Sequence, residues 1–224
     1  GTYNTAIGHN ALTANTTGQY NVAMGAFALD ANTTADDNTA VGTSALTANT
    51  TGASNTALGA DSLLANTTAS NNTAVGYHAG LSVTTGAGNT FMGSASGDAV
   101  TTGAQNTFVG QASGTAVTTG ANNVAIGYIA LASATTAADN VIVGKQAGFN
   151  ITDSQYNVGI GNNALQTLTT GDSNVAVGHS AMYGLTTASN NTAVGYNALV
   201  SNTTASNNTA VGYQAGYSFT TGGY

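Results

Sequence analysis

The chain has 224 residues, among them one Lys, eight Asp, and no Arg, Glu, Cys, Pro or Trp. With a formal charge of −7 and Lys145 as its one basic side chain, it cannot neutralise a phosphate backbone or present a basic face to an anionic membrane. The missing cysteine excludes a disulfide framework and a thiolate metal site, and the longest aliphatic-rich run, Val124 to Ala134, is too short to span a bilayer.

A glycine returns every 17 residues, at Gly8, Gly25, Gly42, Gly59, Gly76, Gly93, Gly110, Gly127, Gly144, Gly161, Gly178, Gly195 and Gly212. These thirteen anchors leave no room for an insertion, linker or charge block, so residues 1–224 read as a single repeat domain. Within each copy the columns have distinct characters, with the consensus N-T-A-V-G-x-x-A-L-x-x-N-T-T-G-x-x.

In chain order, the first element is an asparagine four residues before every anchor. The column consists of Asn4, Asn21, Asn38, Asn55, Asn72, Asn89, Asn106, Asn123, Asn140, Asn157, Asn174, Asn191 and Asn208. Asparagine suits turns, and its amide both donates and accepts, so identical side chains stacked coil on coil predict a structural ladder. Three β-branched or small residues follow, and the anchor glycine ends them, which predicts a short strand and a turn. The x-T-T segment predicts a second extended stretch before the next corner. Helix formers are scarce, so the whole reads as all-β: a β-solenoid, or β-roll, of thirteen 17-residue coils. Coils about 4.8 Å apart would make a rod roughly 60 Å long.

The position four after the anchor is Leu, Gly or Met182, and it is coupled to the position seven after. Every Gly copy carries a bulky partner: Gly80 with Val83, Gly97 with Val100, Gly114 with Val117, Gly148 with Ile151 and Gly216 with Phe219. The Leu copies mostly carry Asn there, namely Asn15, Asn32, Asn49, Asn66 and Asn202 (Ala134 and Leu168 depart). One core volume is therefore expected to be filled in alternative ways. Phe91 and Phe108 fall in Gly-type copies. The strand is apolar on both faces, and a thin coil has one core. The small Ala and Gly face is expected to meet another copy around an axis, with parallel subunits in register. On that expectation a charge at Ala74 or Ala193 is severely damaging. Asp153 in a Thr column and Gly159 in the Ala column predict the most mobile interior coil, near residues 150–160.

Chemistry is sparse. His9, His78 and His179 make no ligand spacing, and the eight Asp are scattered over several columns. No Ser-His-Asp set, carboxylate pair or phosphate-cradling motif can be assembled, so neither an enzyme, a metal site nor a cofactor is expected. The tyrosines are the candidates for surface contact. Tyr77, Tyr128, Tyr196 and Tyr213 follow their anchors directly, while Tyr3, Tyr20, Tyr156 and Tyr224 occupy the phase five before an anchor. Stacking between neighbouring turns competes with that role. The sequons at Asn15, Asn32, Asn49, Asn66 and Asn202 would accept glycans only in a host with the machinery.

The units NTAVGYNALVSNTTASN and NTAVGYQAGYSFTTGG resemble the short repeats of bacteriophage tail-fibre and bacterial surface-fibre proteins. More distantly, N-T-A-V-G-x-x-A resembles the head repeat of trimeric autotransporter adhesins. That resemblance implies a left-handed, parallel, in-register homotrimer, extracellular or on a virion surface. It would space or present a receptor-binding tip, with itself as partner and a host-surface glycan or protein as a further contact. Nucleic acid and membrane insertion are not expected. The leading reading is a structural and adhesive fibre shaft. An ice-binding solenoid and a self-polymerising extracellular filament remain as alternatives. Neither terminal copy is polarised, so the sequence is expected to be an excerpt of a longer rod or to stack end on end.

Overall fold

The structure is a computed structural model that describes residues 1–220; Tyr224 lies outside the described residues. The chain divides into two compact units, Gly1–Gln111 and Ala112–Tyr224. The first holds β1 (Thr5–Ile7), β2 (Val22–Met24), β3 (Thr39–Val41), β4 (Thr56–Leu58), β5 (Thr73–Val75), β6 (Thr90–Met92) and β7 (Thr107–Val109). The second holds β8 (Val124–Ile126), β9 (Val141–Val143), β10 (Val158–Ile160), β11 (Val175–Val177), β12 (Thr192–Val194) and β13 (Thr209–Val211). In each unit, successive strands pair in parallel with every residue opposite its equivalent 17 positions on, as in Thr39↔Thr56, Ala40↔Ala57 and Val41↔Leu58. This is a parallel β-solenoid. Among the described residues no helix is long and apolar enough to cross a membrane.

The period of two along a strand decides which side chains enter the coil. The middle residue points in: Ala23, Ala40, Ala57, Ala74, Ala125, Ala176 and Ala193 are fully buried, and so are Phe91, Phe108 and Ile142 in the same column. The residues on either side point out. This corrects the expectation that the Ala and Gly face meets another copy. The interior of a 17-residue coil is so shallow that the strand faces the Leu/Gly column directly. At Gly159, a Cβ would lie 3.2 Å from both Ile142 Cδ1 and Leu165 Cδ1. Small residues therefore mark a thin interior, and the larger β-branched ones are left outside.

The second extended stretch is absent among the described residues; each coil has one strand, and the x-T-T segment bends. The reason lies in where its donors go. Thr50 N–H donates to Thr67 O at 2.9 Å and Thr51 N–H to the same oxygen at 3.3 Å. The Thr50 hydroxyl also reaches that carbonyl, at 3.0 Å. Three donors from two adjacent residues converge on one acceptor, whereas a ladder would alternate them. The same hydroxyl bond recurs from Thr16 to Thr33 at 2.9 Å, and in the second unit from Thr169 to Thr186 at 2.9 Å. It explains why this column holds Thr in every copy.

The anchor glycine has φ between 129° and 139°, which side-chain-bearing residues rarely adopt. A Cβ on Gly42 would lie 2.5 Å from Gly59 O and 2.6 Å from Gly59 C, so stacked backbones leave no room for one. The Leu/Gly column is also left-handed, with φ 49° at Leu63 and 60° at Gly80. Where Gly stands, neighbours fill the vacated space. At Gly148 the filler is Ile151 of the same copy, with Cδ1 2.9 Å from a Cβ position. At Gly80 it is Leu63 Cδ2, at 2.9 Å, and Phe91 Cδ2, at 2.7 Å. Phe91 also fills the Gly97 space, and its ring centroid lies 5.8 Å from that of Phe108. At Gly80 and Gly97 the atoms nearest the vacated space thus include a residue two before an anchor, beside the buried Val83 and Val100.

Candidate functional site

The asparagine column is buried and bonds along the solenoid in each unit. In the first unit, Asn55 N–H donates to Asn38 Oδ1 at 2.9 Å and Asn72 N–H to Asn55 Oδ1 at 3.0 Å. Asn55 Nδ2 donates to Ala69 O at 2.9 Å and to Asn38 Oδ1 at 3.1 Å. In the second unit, Asn157 N–H donates to Asn140 Oδ1 and Asn174 N–H to Asn157 Oδ1, both at 2.9 Å. Each amide so employed joins adjacent coils and satisfies a carbonyl at the following corner. At the last rung, Asn208 Oδ1 is buried without a hydrogen-bond partner.

A second ladder lies beside the first, and sequence reasoning missed it. Asn32 Nδ2 donates to Asn15 Oδ1, Asn49 Nδ2 to Asn32 Oδ1 and Asn66 Nδ2 to Asn49 Oδ1, at 3.1, 3.1 and 2.9 Å. Both ladders share corner acceptors: Ala69 O receives Asn55 Nδ2 and Asn66 Nδ2. The signal was the run of four consecutive Asn copies in one column, read as a volume choice alone. The ladder stops where Val83 replaces Asn, leaving Asn66 Oδ1 buried without a hydrogen-bond partner. The sequon asparagines Asn32, Asn49, Asn66 and Asn202 are fully buried, with their amide nitrogens bonded inside the coil.

The outward columns of the strands form the face with functional potential. One carries Thr or Val; the other carries Ile, Met, Leu or Val. Leu58 is 47% exposed, Met92 46% and Ile160 40%, although each sits in a sheet. The nine charged side chains (one Lys, eight Asp) all lie outside the strands. The outward face thus pairs a Thr or Val column with an aliphatic one, and exposed aliphatic rows of this kind are surfaces that association covers.

The anchor-following tyrosines Tyr77, Tyr128, Tyr196 and Tyr213 are all exposed. Their rings stack on neighbours where these are aromatic. Tyr196 lies between His179 and Tyr213, with centroids at 5.2 and 5.5 Å, and Tyr77 covers His78 at 3.7 Å. Tyr3 and Tyr20 stack at 5.1 Å. His78 Nε2 lies 3.4 Å from Asp61 Oδ2, while His9 packs edge-on to Phe27. Among the described residues, no three His, Cys, Asp or Glu side chains gather as a possible metal set. What remains is a surface suited to association. No protein-family model matches the chain, and neither does any curated protein or solved structure.

Proposed function

We propose that this chain is a fibre shaft, extracellular or on a virion surface, that spaces or presents a receptor-binding tip. It assembles by covering its exposed sheet with another copy of itself. The observation that carries this reading is the division of each strand. The buried alanine completes the interior of the single chain, so the aliphatic column that follows it points outward, with Met24, Leu58, Met92, Ile126 and Ile160 left exposed. Burying such a surface contributes roughly 25 cal/mol per Å². A shaft needs length, axial regularity and lateral association rather than catalysis, and a uniform 17-residue repeat with an outward aliphatic column supports that reading. The resemblance to adhesin heads implies three parallel copies in a left-handed roll. Adhesive contact with a glycan or protein falls to Tyr77, Tyr128, Tyr196 and Tyr213.

A second reading, ice binding, is favoured by the regular spacing of outward Thr and aliphatic residues at about 4.8 Å from coil to coil. Sedimentation equilibrium over a range of concentrations, with thermal hysteresis on the same samples, separates the two. A discrete multiple of the chain mass with no hysteresis is the expected result. A monomer with hysteresis supports the ice reading and overturns the shaft. Mass that grows without limit points to the filament.

A further inference from the structure

Resting on the reading that a second copy covers the sheet, we infer that this copy lies one coil out of step rather than in register. The observation is a corrugation in one outward column. In the first unit it starts with Ile7 and from Met24 on alternates large and small: Met24, Val41, Leu58, Val75, Met92, Val109. The large residues are exposed and the valines between them half-buried. The second unit repeats the pattern with Ile126, Val143, Ile160 and Val177, and ends on Val194 and Val211 without a large residue between them. The core does not impose it, because Ala40, Ala57 and Ala74 beneath are identical and fully buried. The companion outward column does not share it, being Thr from Thr39 to Thr107.

Ridges of this kind are about 9.6 Å apart, two coil spacings. An in-register partner sets Leu58 against Leu58 and Val75 against Val75, which crowds one level and leaves a gap at the next. Shifting the partner by one coil sets Leu58 and Met92 against valines, the arrangement that close packing favours. The cost is one coil of overlap. A surface with the same 17-residue period and the same alternation matches the levels from Met24 to Val109, and a second copy is such a surface. No charge lies on it, so two chains of net charge −7 meet here without a like-charge contact. An even-numbered assembly satisfies the offset, whereas a ring of three sets at least one pair at matching levels.

The test is a hole-and-knob pairing between chains. Leu58→Ala makes a hole; Val75→Phe makes a knob one coil away, and Leu58→Phe makes one at the same level. All three sites are on the outer face, and circular dichroism checks that each variant folds. Variants are co-refolded in pairs and their association measured by sedimentation. The offset predicts that Leu58→Ala associates with Val75→Phe about tenfold more tightly than either does with itself. Rescue by Leu58→Phe instead, or by neither, overturns the offset. A parent protein that sediments as a monomer is a different result, and overturns the assembly reading beneath it.

Discussion

At the anchor glycines, backbone conformation and crowding coincide. Gly42 combines a φ of 136° with a Cβ position 2.5 Å from the Gly59 carbonyl oxygen, and neither obstacle is a movable side chain. Gly42→Ala is expected to cost more than about 3 kcal/mol, read as a drop in the urea midpoint. Gly159→Ala is the opposite case. Its Cβ would meet only the ends of Ile142 and Leu165, at 3.2 Å, and its backbone is not left-handed. Alanine is the usual residue of that column, so stability should change by less than about 1 kcal/mol. In the asparagine ladder, Asn55→Ala strands the Asn72 N–H and removes a donor from Ala69 O, inside a fully buried site. A loss of roughly 2–4 kcal/mol is expected, with faster hydrogen exchange at Asn72 than at ladder amides two coils away.

Single elements are coupled through the interior. Phe91 projects into the space that Gly80 vacates, so Gly80→Leu overpacks it, at about 1–3 kcal/mol, and Phe91→Ala empties it, at about 3–5 kcal/mol. The two substitutions together should cost at least about 1 kcal/mol less than their sum, in a double-mutant cycle on the urea midpoint. The repeat, the strand before each anchor and the corner glycine were legible in the sequence because each is a column with one dominant physical requirement. The column of Ala74 and Ala193 was legible as apolar but not as inward, since periodicity gives two faces and does not label them. What labels them is depth: the distance across a 17-residue coil, which appears only when the strand and the Leu/Gly column are placed opposite each other. The x-T-T segment misled for a related reason. β-branched residues favour strands, but here their hydroxyls and amides converge on one carbonyl, as at Thr67. Asn49 and Asn66 were legible as occupants of a core volume but not as a ladder, because the bonds that join them, Asn49 Nδ2 to Asn32 Oδ1 and Asn66 Nδ2 to Asn49 Oδ1, run between copies.

For the whole molecule, the inward alanines change what a charged substitution can reveal. Ala193→Asp buries an unpaired carboxylate inside its own coil, so it should unfold the protein whether or not copies associate. The informative comparison is between neighbours in β4 that point to opposite sides. Ala57 is fully buried and Leu58 is 47% exposed. The most direct test of the account is therefore the solution mass and circular dichroism of Ala57→Asp and Leu58→Asp measured side by side. Ala57→Asp should lose the β signal at room temperature. Leu58→Asp should keep the parent's spectrum and sediment as a single chain, because it places a charge on the assembly face and leaves the coil interior intact. A folded Leu58→Asp protein with the parent's oligomeric mass would contradict the claim that this face joins the copies.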